Sequence, residues 1–177
     1  MLFCLNAQAD YKPTDFMLPK LHNKITLVSE AGKELTVFHS NMFDSTGALF
    51  STMKFESKGF NKLKQDKKSV QYNYKIKEND VLLNKIELES TSRMTTFKYA
   101  IDKTWFTFPQ EAWAEESSSF PDPFSYSLSL TSKTRFKKVT AKNGKSYFSL
   151  IATMKGNDGK SYSLVFGQGV GLLQYID

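Results

Sequence analysis

The chain has 177 residues, 40% hydrophobic and 14% aromatic, with 24 Lys and Arg against 18 Asp and Glu and a net charge of +6. That length and apolar content describe a single domain able to bury a core without disulfide or metal staples, and they exclude an intrinsically disordered chain. Arg93 and Arg135 are the only arginines, so bidentate phosphate recognition is poorly supplied and the basic excess reads as solvated lysines; a nucleic-acid partner is not expected.

The first nine residues, Met1 to Ala9, form a short apolar run ending in Ala7-Gln8-Ala9. This is the small-residue pattern cut by signal peptidase, so residues 1–9 read as the remainder of a signal peptide and Asp10 as the first residue of the mature domain, 10–177. The single cysteine, Cys4, lies in that run, and Phe3 before it does not suit a lipoprotein signal. The expected location is therefore exported, periplasmic or extracellular, with no disulfide in the mature chain. No run of 18 apolar residues occurs, so no transmembrane helix is expected.

Asp10 to Lys20, with Pro13 and Pro19, reads as an extended lead-in. Lys24–Val28 and Leu35–Phe38 flank a turn-rich stretch and predict a hairpin. From Ala48 to Ser57 the residues alternate, Leu49, Ser51, Met53 and Phe55 facing a core and Phe50, Thr52, Lys54 and Glu56 facing out. Lys58 to Lys68 holds five lysines and one aspartate and reads as a solvated connection. Val70, Tyr72, Tyr74 and Ile76 line one face of a strand, Glu78-Asn79-Asp80 makes a turn, and Val81–Glu89 reads as the next strand. Thr95–Phe108 is β-rich, with Trp105, Phe106 and Phe108 ahead of Pro109.

Gln110 to Ser127 shifts in composition. It holds Glu111, Glu115, Glu116 and Asp122, no basic residue, three consecutive serines, and the aromatics Trp113, Phe120 and Phe124. It reads as a long loop, with a short helix over Gln110–Glu116, whose aromatics either pin it to the sheet and cap an open end of the core or make it a lid or a binding loop. The last third is a meander. Arg135–Lys142 leads to Asn143-Gly144, Lys145–Lys155 to Gly156-Asn157-Asp158-Gly159, and Lys160–Phe166 to a glycine-rich turn and a closing strand. Asn-Gly between β-rich runs predicts a type I′ hairpin, both central residues at positive φ. Strands returning every 8 to 15 residues with little helix predict an all-β domain, a sandwich, barrel or strongly curved sheet, read here as a strongly curved antiparallel sheet, half-barrel or barrel.

Motifs that carry chemistry are few. Gly167-Gln168-Gly169-Val170-Gly171 follows a strand but precedes another strand, whereas a phosphate loop needs a helix N-terminus behind it; a bulge or close backbone approach is the better reading. His22 and His39 are the only histidines and no HExxH, HxxxH or CxxC spacing occurs, so no metal or cofactor is expected. Glu87/Glu89 and Glu115/Glu116 read as surface carboxylates.

The closing run Tyr162-Ser163-Leu164-Val165-Phe166-Gly167-Gln168-Gly169-Val170-Gly171-Leu172-Leu173-Gln174-Tyr175 resembles the last segment of small secreted or periplasmic bacterial β-rich proteins of uncharacterised families, which end in a GVGLV-x-Y-like strand. Asp10-Tyr11-Lys12-Pro13 is similar to their Asp-Tyr-x-Pro opening. Lys20–Val28 departs from them, lacking the Gly and Trp of their first strand, so the likeness covers about the last 20 residues and the first few. It implies a curved antiparallel sheet and export, as in carriers that hold apolar cargo in an open half-barrel, and carries over no cargo-contacting residue.

The expectation that follows is a non-enzymatic exported protein that binds an apolar small molecule or a protein partner near the mouth of its sheet, with Trp113, Phe120, Phe124 and Trp105 as the binding aromatics. Two alternatives remain open at this point. One is a hydrolase whose site gathers His22 or His39 with a carboxylate or serine from distant positions, and the other is a polyanion binder acting through Lys58–Lys68.

Overall fold

The computed structural model describes residues 11–18, 24–28, 34–43, 49–57, 67–90, 96–109, 113–118 and 130–176; for residues 57, 67–68, 88–90, 96–102, 113–118 and 130 it describes the backbone alone. One short helix, α1 (Pro13–Met17), precedes eleven strands: β1 (Lys24–Val28), β2 (Glu34–Phe43), β3 (Leu49–Ser57), β4 (Lys67–Lys77), β5 (Asp80–Ser90), β6 (Thr96–Thr107), β7 (Trp113–Ser118), β8 (Leu130–Thr140), β9 (Ser146–Gly156), β10 (Ser161–Gly167) and β11 (Gly171–Ile176). The chain forms two sheets, β1-β2-β3-β4-β5-β6 and β11-β10-β9-β8-β7, and within each sheet every strand pairs antiparallel with its neighbour in sequence. The all-β expectation holds. Its barrel form does not: among the described residues the hydrogen-bond ladder runs through neither the β6–β7 nor the β11–β1 junction, so neither sheet closes.

The sheets share one core. Leu35, Val37, Met53, Phe55, Val70, Tyr74, Val81, Leu83 and Ile86 from the larger sheet pack into the same buried cluster as Leu150, Ala152, Met154, Leu164, Phe166 and Leu172 from the smaller. Ring contacts cross between them, Phe106 to Phe166 at 6.1 Å and Phe55 to Tyr175 at 6.3 Å. Period-two alternation supplies these faces: Ser51, Met53 and Phe55 point in, while Lys54 and Glu56 form an ion pair of 2.8 Å outside. Burying one such aliphatic or Phe side chain is worth about 1.5–3 kcal/mol, against which a surface ion pair adds little. At one junction the Thr134 hydroxyl of β8 donates to the Thr107 carbonyl of β6 at 2.6 Å.

The extended lead-in read from Pro13 is instead the helical turn α1. Pro13 pre-sets its first φ, and the Asp15 carboxylate accepts the Lys12 backbone N–H at 3.0 Å. Five residues cannot hold a helix by themselves. Packing does so here: Phe16 and Met17 are fully buried, and the Phe16 ring lies 5.5 Å from both Phe108 and Phe136 and 6.0 Å from Phe148. The Asp15 carbonyl accepts the Gly169 N–H at 2.6 Å, which ties α1 to the glycine-rich turn.

The hairpin between β8 and β9 forms as expected but not by a type I′ turn. Gly144 alone has positive φ, +79°, with Gly144 N–H donating to Ala141 and Ala141 N–H to Lys145 at 2.9 and 2.8 Å. This is a type I turn followed by a left-handed glycine, the three-residue hairpin loop. The β9–β10 turn repeats it: Gly159 has φ +80°, and the Lys160 N–H reaches the Asp158 carboxylate at 3.0 Å just as the Lys145 N–H reaches the Asn143 side chain. That backbone bond, with the Lys160 ammonium nearby, holds the Asp158 carboxyl below its ordinary pKa.

Candidate functional site

Along β2 the inward positions are Leu35, Val37 and then His39. The alternation that makes the first two core residues therefore carries an imidazole into the interior. His39 is 4% exposed and neither Nδ1 nor Nε2 has a hydrogen-bond partner. Desolvation by burial lowers its pKa from 6.5 to about 4, so the ring is neutral at physiological pH.

Register places the neighbours. His39 lies opposite Met53 of β3, Met53 opposite Tyr72 of β4, and Tyr72 opposite Ile86 of β5. One row along, Ser51 faces Tyr74. Tyr74 is fully buried and its hydroxyl has no hydrogen-bond partner. Burial pushes its pKa above the ordinary tyrosine range, and Ser51 acts weakly the other way without completing hydrogen-bond geometry. The Ser51 proton goes to the Asn41 side-chain oxygen at 2.9 Å.

Trp105 reaches this face through a bulge. The β5–β6 register runs Val81↔Phe106 and then Leu82↔Thr104, which leaves Trp105 as the extra residue. A bulge re-aims a side chain, and the consequence is two consecutive buried aromatics, Trp105 and Phe106. The indole stacks on Tyr72 at 5.1 Å and 11° and tilts against Tyr74 at 6.1 Å. Its Nε1–H has no hydrogen-bond partner. Three inward-facing residues of one sheet thus carry four buried, unpaired polar atoms in an aromatic and aliphatic setting. A buried polar atom left unpaired costs about 1–3 kcal/mol, so such a grouping calls for a partner. Chemically it offers hydrogen bonds: the indole donates only, the phenol donates and accepts, and the neutral imidazole does one at each nitrogen.

Of the residues expected to bind, Trp105 lies in this interior rather than at a loop. Trp113 begins β7, opposite Arg135 of β8; its side chain, and Phe120 and Phe124 altogether, lie outside the described residues. The helix anticipated over Gln110–Glu116 is replaced, from Trp113 on, by a strand: β7 completes the ladder on the open edge of β8, with Glu115 opposite Lys133. His22, Cys4 and residues 58–66 also lie outside the described residues. Among the described residues no group of three His, Cys, Asp or Glu is placed to hold a metal. Glu87 binds Lys85 at 2.7 Å and Gln71 at 3.0 Å on the outer face.

The glycine-rich run behaves as a packing element. A Cβ on Gly167 would lie 2.5 Å from Leu173 Cδ1, and a bulge falls between Val165 and Phe166. Of the site residues, sequence reading considered His39 only for a hydrolase and missed Tyr74. A histidine in the inward register of a strand was a visible signal, whereas an unpaired phenol was not. No described helix is long and apolar enough to cross a membrane. No family model, no curated protein and no solved structure matches the chain.

Proposed function

We propose that this is an exported, non-enzymatic binding protein that holds an apolar small molecule carrying a hydrogen-bonding group against the inner face of β2–β6. The observation that carries this reading is the set of four unpaired polar atoms on His39, Tyr74 and Trp105, buried in an otherwise aromatic and aliphatic interior. Small-molecule sites combine a mostly apolar lining with a few convergent polar groups, and the ligand supplies the missing hydrogen bonds. Met42 and Phe43, 67% and 69% exposed, follow His39 on β2 opposite Phe50 and Leu49. They make an apolar lip by which such a ligand enters. The signal-like Met1–Ala9 supports export.

Native mass spectrometry of protein purified gently from its own host tests the proposal. The expected result is a reproducible added mass that leaves on organic extraction and is lost from a His39→Leu, Tyr74→Phe double variant. A clean apo mass under conditions that preserve a control lipid carrier's cargo would overturn it.

A further inference from the structure

We infer that the group the ligand buries is an uncharged hydrogen-bond acceptor of the carbonyl type, such as an ester, ketone or amide, and not a carboxylate or an amine. This inference rests on the binding reading above and adds the chemistry of the head group.

The balance of donors and acceptors argues for it. Trp105 Nε1 can only donate, and the Tyr74 hydroxyl and one His39 nitrogen each bring a further proton. The Ser51 proton is already committed to Asn41, so it does not compete for the ligand's acceptor. A carbonyl oxygen, with two lone pairs and no proton of its own, suits such donors, the Trp105 and Tyr74 rings lying 6.1 Å apart, whereas an amine would bring protons to a place where three are already unpaired.

Charge argues for it independently. The buried polar side chains among the described residues are His39, Ser51, Ser69, Ser132, Thr134 and Ser149; none is a lysine, arginine or carboxylate. A carboxylate or ammonium brought here loses its hydration and meets no counter-charge, a cost that neutral donors do not repay. His39 does not supply the charge either, since burial favours its neutral form. The stacked Tyr72 and Trp105 rings, 5.1 Å apart, leave the apolar body of the ligand to aromatic and aliphatic contacts.

Three probes with the same chain separate the outcomes: decane, methyl decanoate and decanoate, titrated at pH 7 against the full chain and followed by intrinsic tryptophan fluorescence. Methyl decanoate is expected to bind at least about tenfold more tightly than decanoate. Tyr74→Phe, which removes one hydroxyl and keeps the ring, should weaken methyl decanoate by about three- to tenfold, one hydrogen bond's worth, and leave decane unchanged. Equal affinities for all three probes, or decanoate the tightest, would overturn the head-group inference while leaving an apolar binding site in place. Binding of none of the three would overturn the binding reading itself. Should Tyr74→Phe fail to fold by circular dichroism, the ranking of the three probes on the unaltered protein decides the question alone.

Discussion

The unpaired imidazole of His39 makes the stability of this fold depend on pH in a way that can be worked out. In the unfolded chain the ring titrates at 6.5 and in the fold at about 4. Between those values the unfolded chain binds a proton that the folded protein refuses, so stability is fully present above about pH 6.5 and is lost as pH falls toward 4. Integrating the difference yields about 2 kcal/mol lost by pH 5 and about 3 kcal/mol by pH 4. His39→Leu removes the titration and fills the site with an apolar side chain of similar size. Other groups titrate alike in both proteins and cancel in the comparison. Urea unfolding at intervals from pH 7.5 to 4.5 should show the variant gaining on the parent by about 2 kcal/mol between pH 7 and 5, as a shift of midpoint at constant slope. A stability difference that stays flat over that range would mean that His39 is equally ready to take a proton in both states. The account of it as a dry, unpartnered ring would then be wrong.

Two further predictions address how the fold is held. Phe16→Ala empties the centre of the aromatic cluster formed with Phe108, Phe136 and Phe148 and should cost about 3–5 kcal/mol in urea unfolding, while a loss below about 1 kcal/mol would show that α1 does not anchor there. Glu78, in the two-residue turn between β4 and β5, is the one described non-glycine residue at positive φ, +53°; Glu78→Gly should raise the unfolding free energy measured in urea by up to about 1 kcal/mol, and a clear loss would contradict the left-handed turn.

The amino-acid pattern alone was enough for most of the strands. Period two over Leu49–Phe55 and Val70–Ile76 marks the inward faces, because one face meets a core and the other water: Ser51, Met53, Phe55, Val70 and Tyr74 are buried, and Tyr72 and Ile76 partly so. The glycines at 144 and 159 were legible as turn points because hairpin geometry calls for a left-handed residue there, although the turn type depends on both central residues and Asn143 stays at negative φ. The Gly167–Gly171 run was legible as packing because a strand, not a helix, follows it. Tertiary structure decided the rest. Pro13–Met17 is a helix because Phe16 packs on Phe108, Phe136 and Phe148, more than ninety residues along the chain, and no local signal carries that. Trp113–Ser118, poor in strand-forming residues, is a strand because β8 leaves an edge to be paired. The candidate site belongs mostly to this second kind. His39 is an ordinary residue until cross-strand register sets it in one row with Tyr72, Met53 between them, and Trp105 joins the inner face only through a bulge between β5 and β6. Hydrogen-bond satisfaction is a property of three-dimensional neighbours, so a sequence can name the donors but not show that they are left without partners.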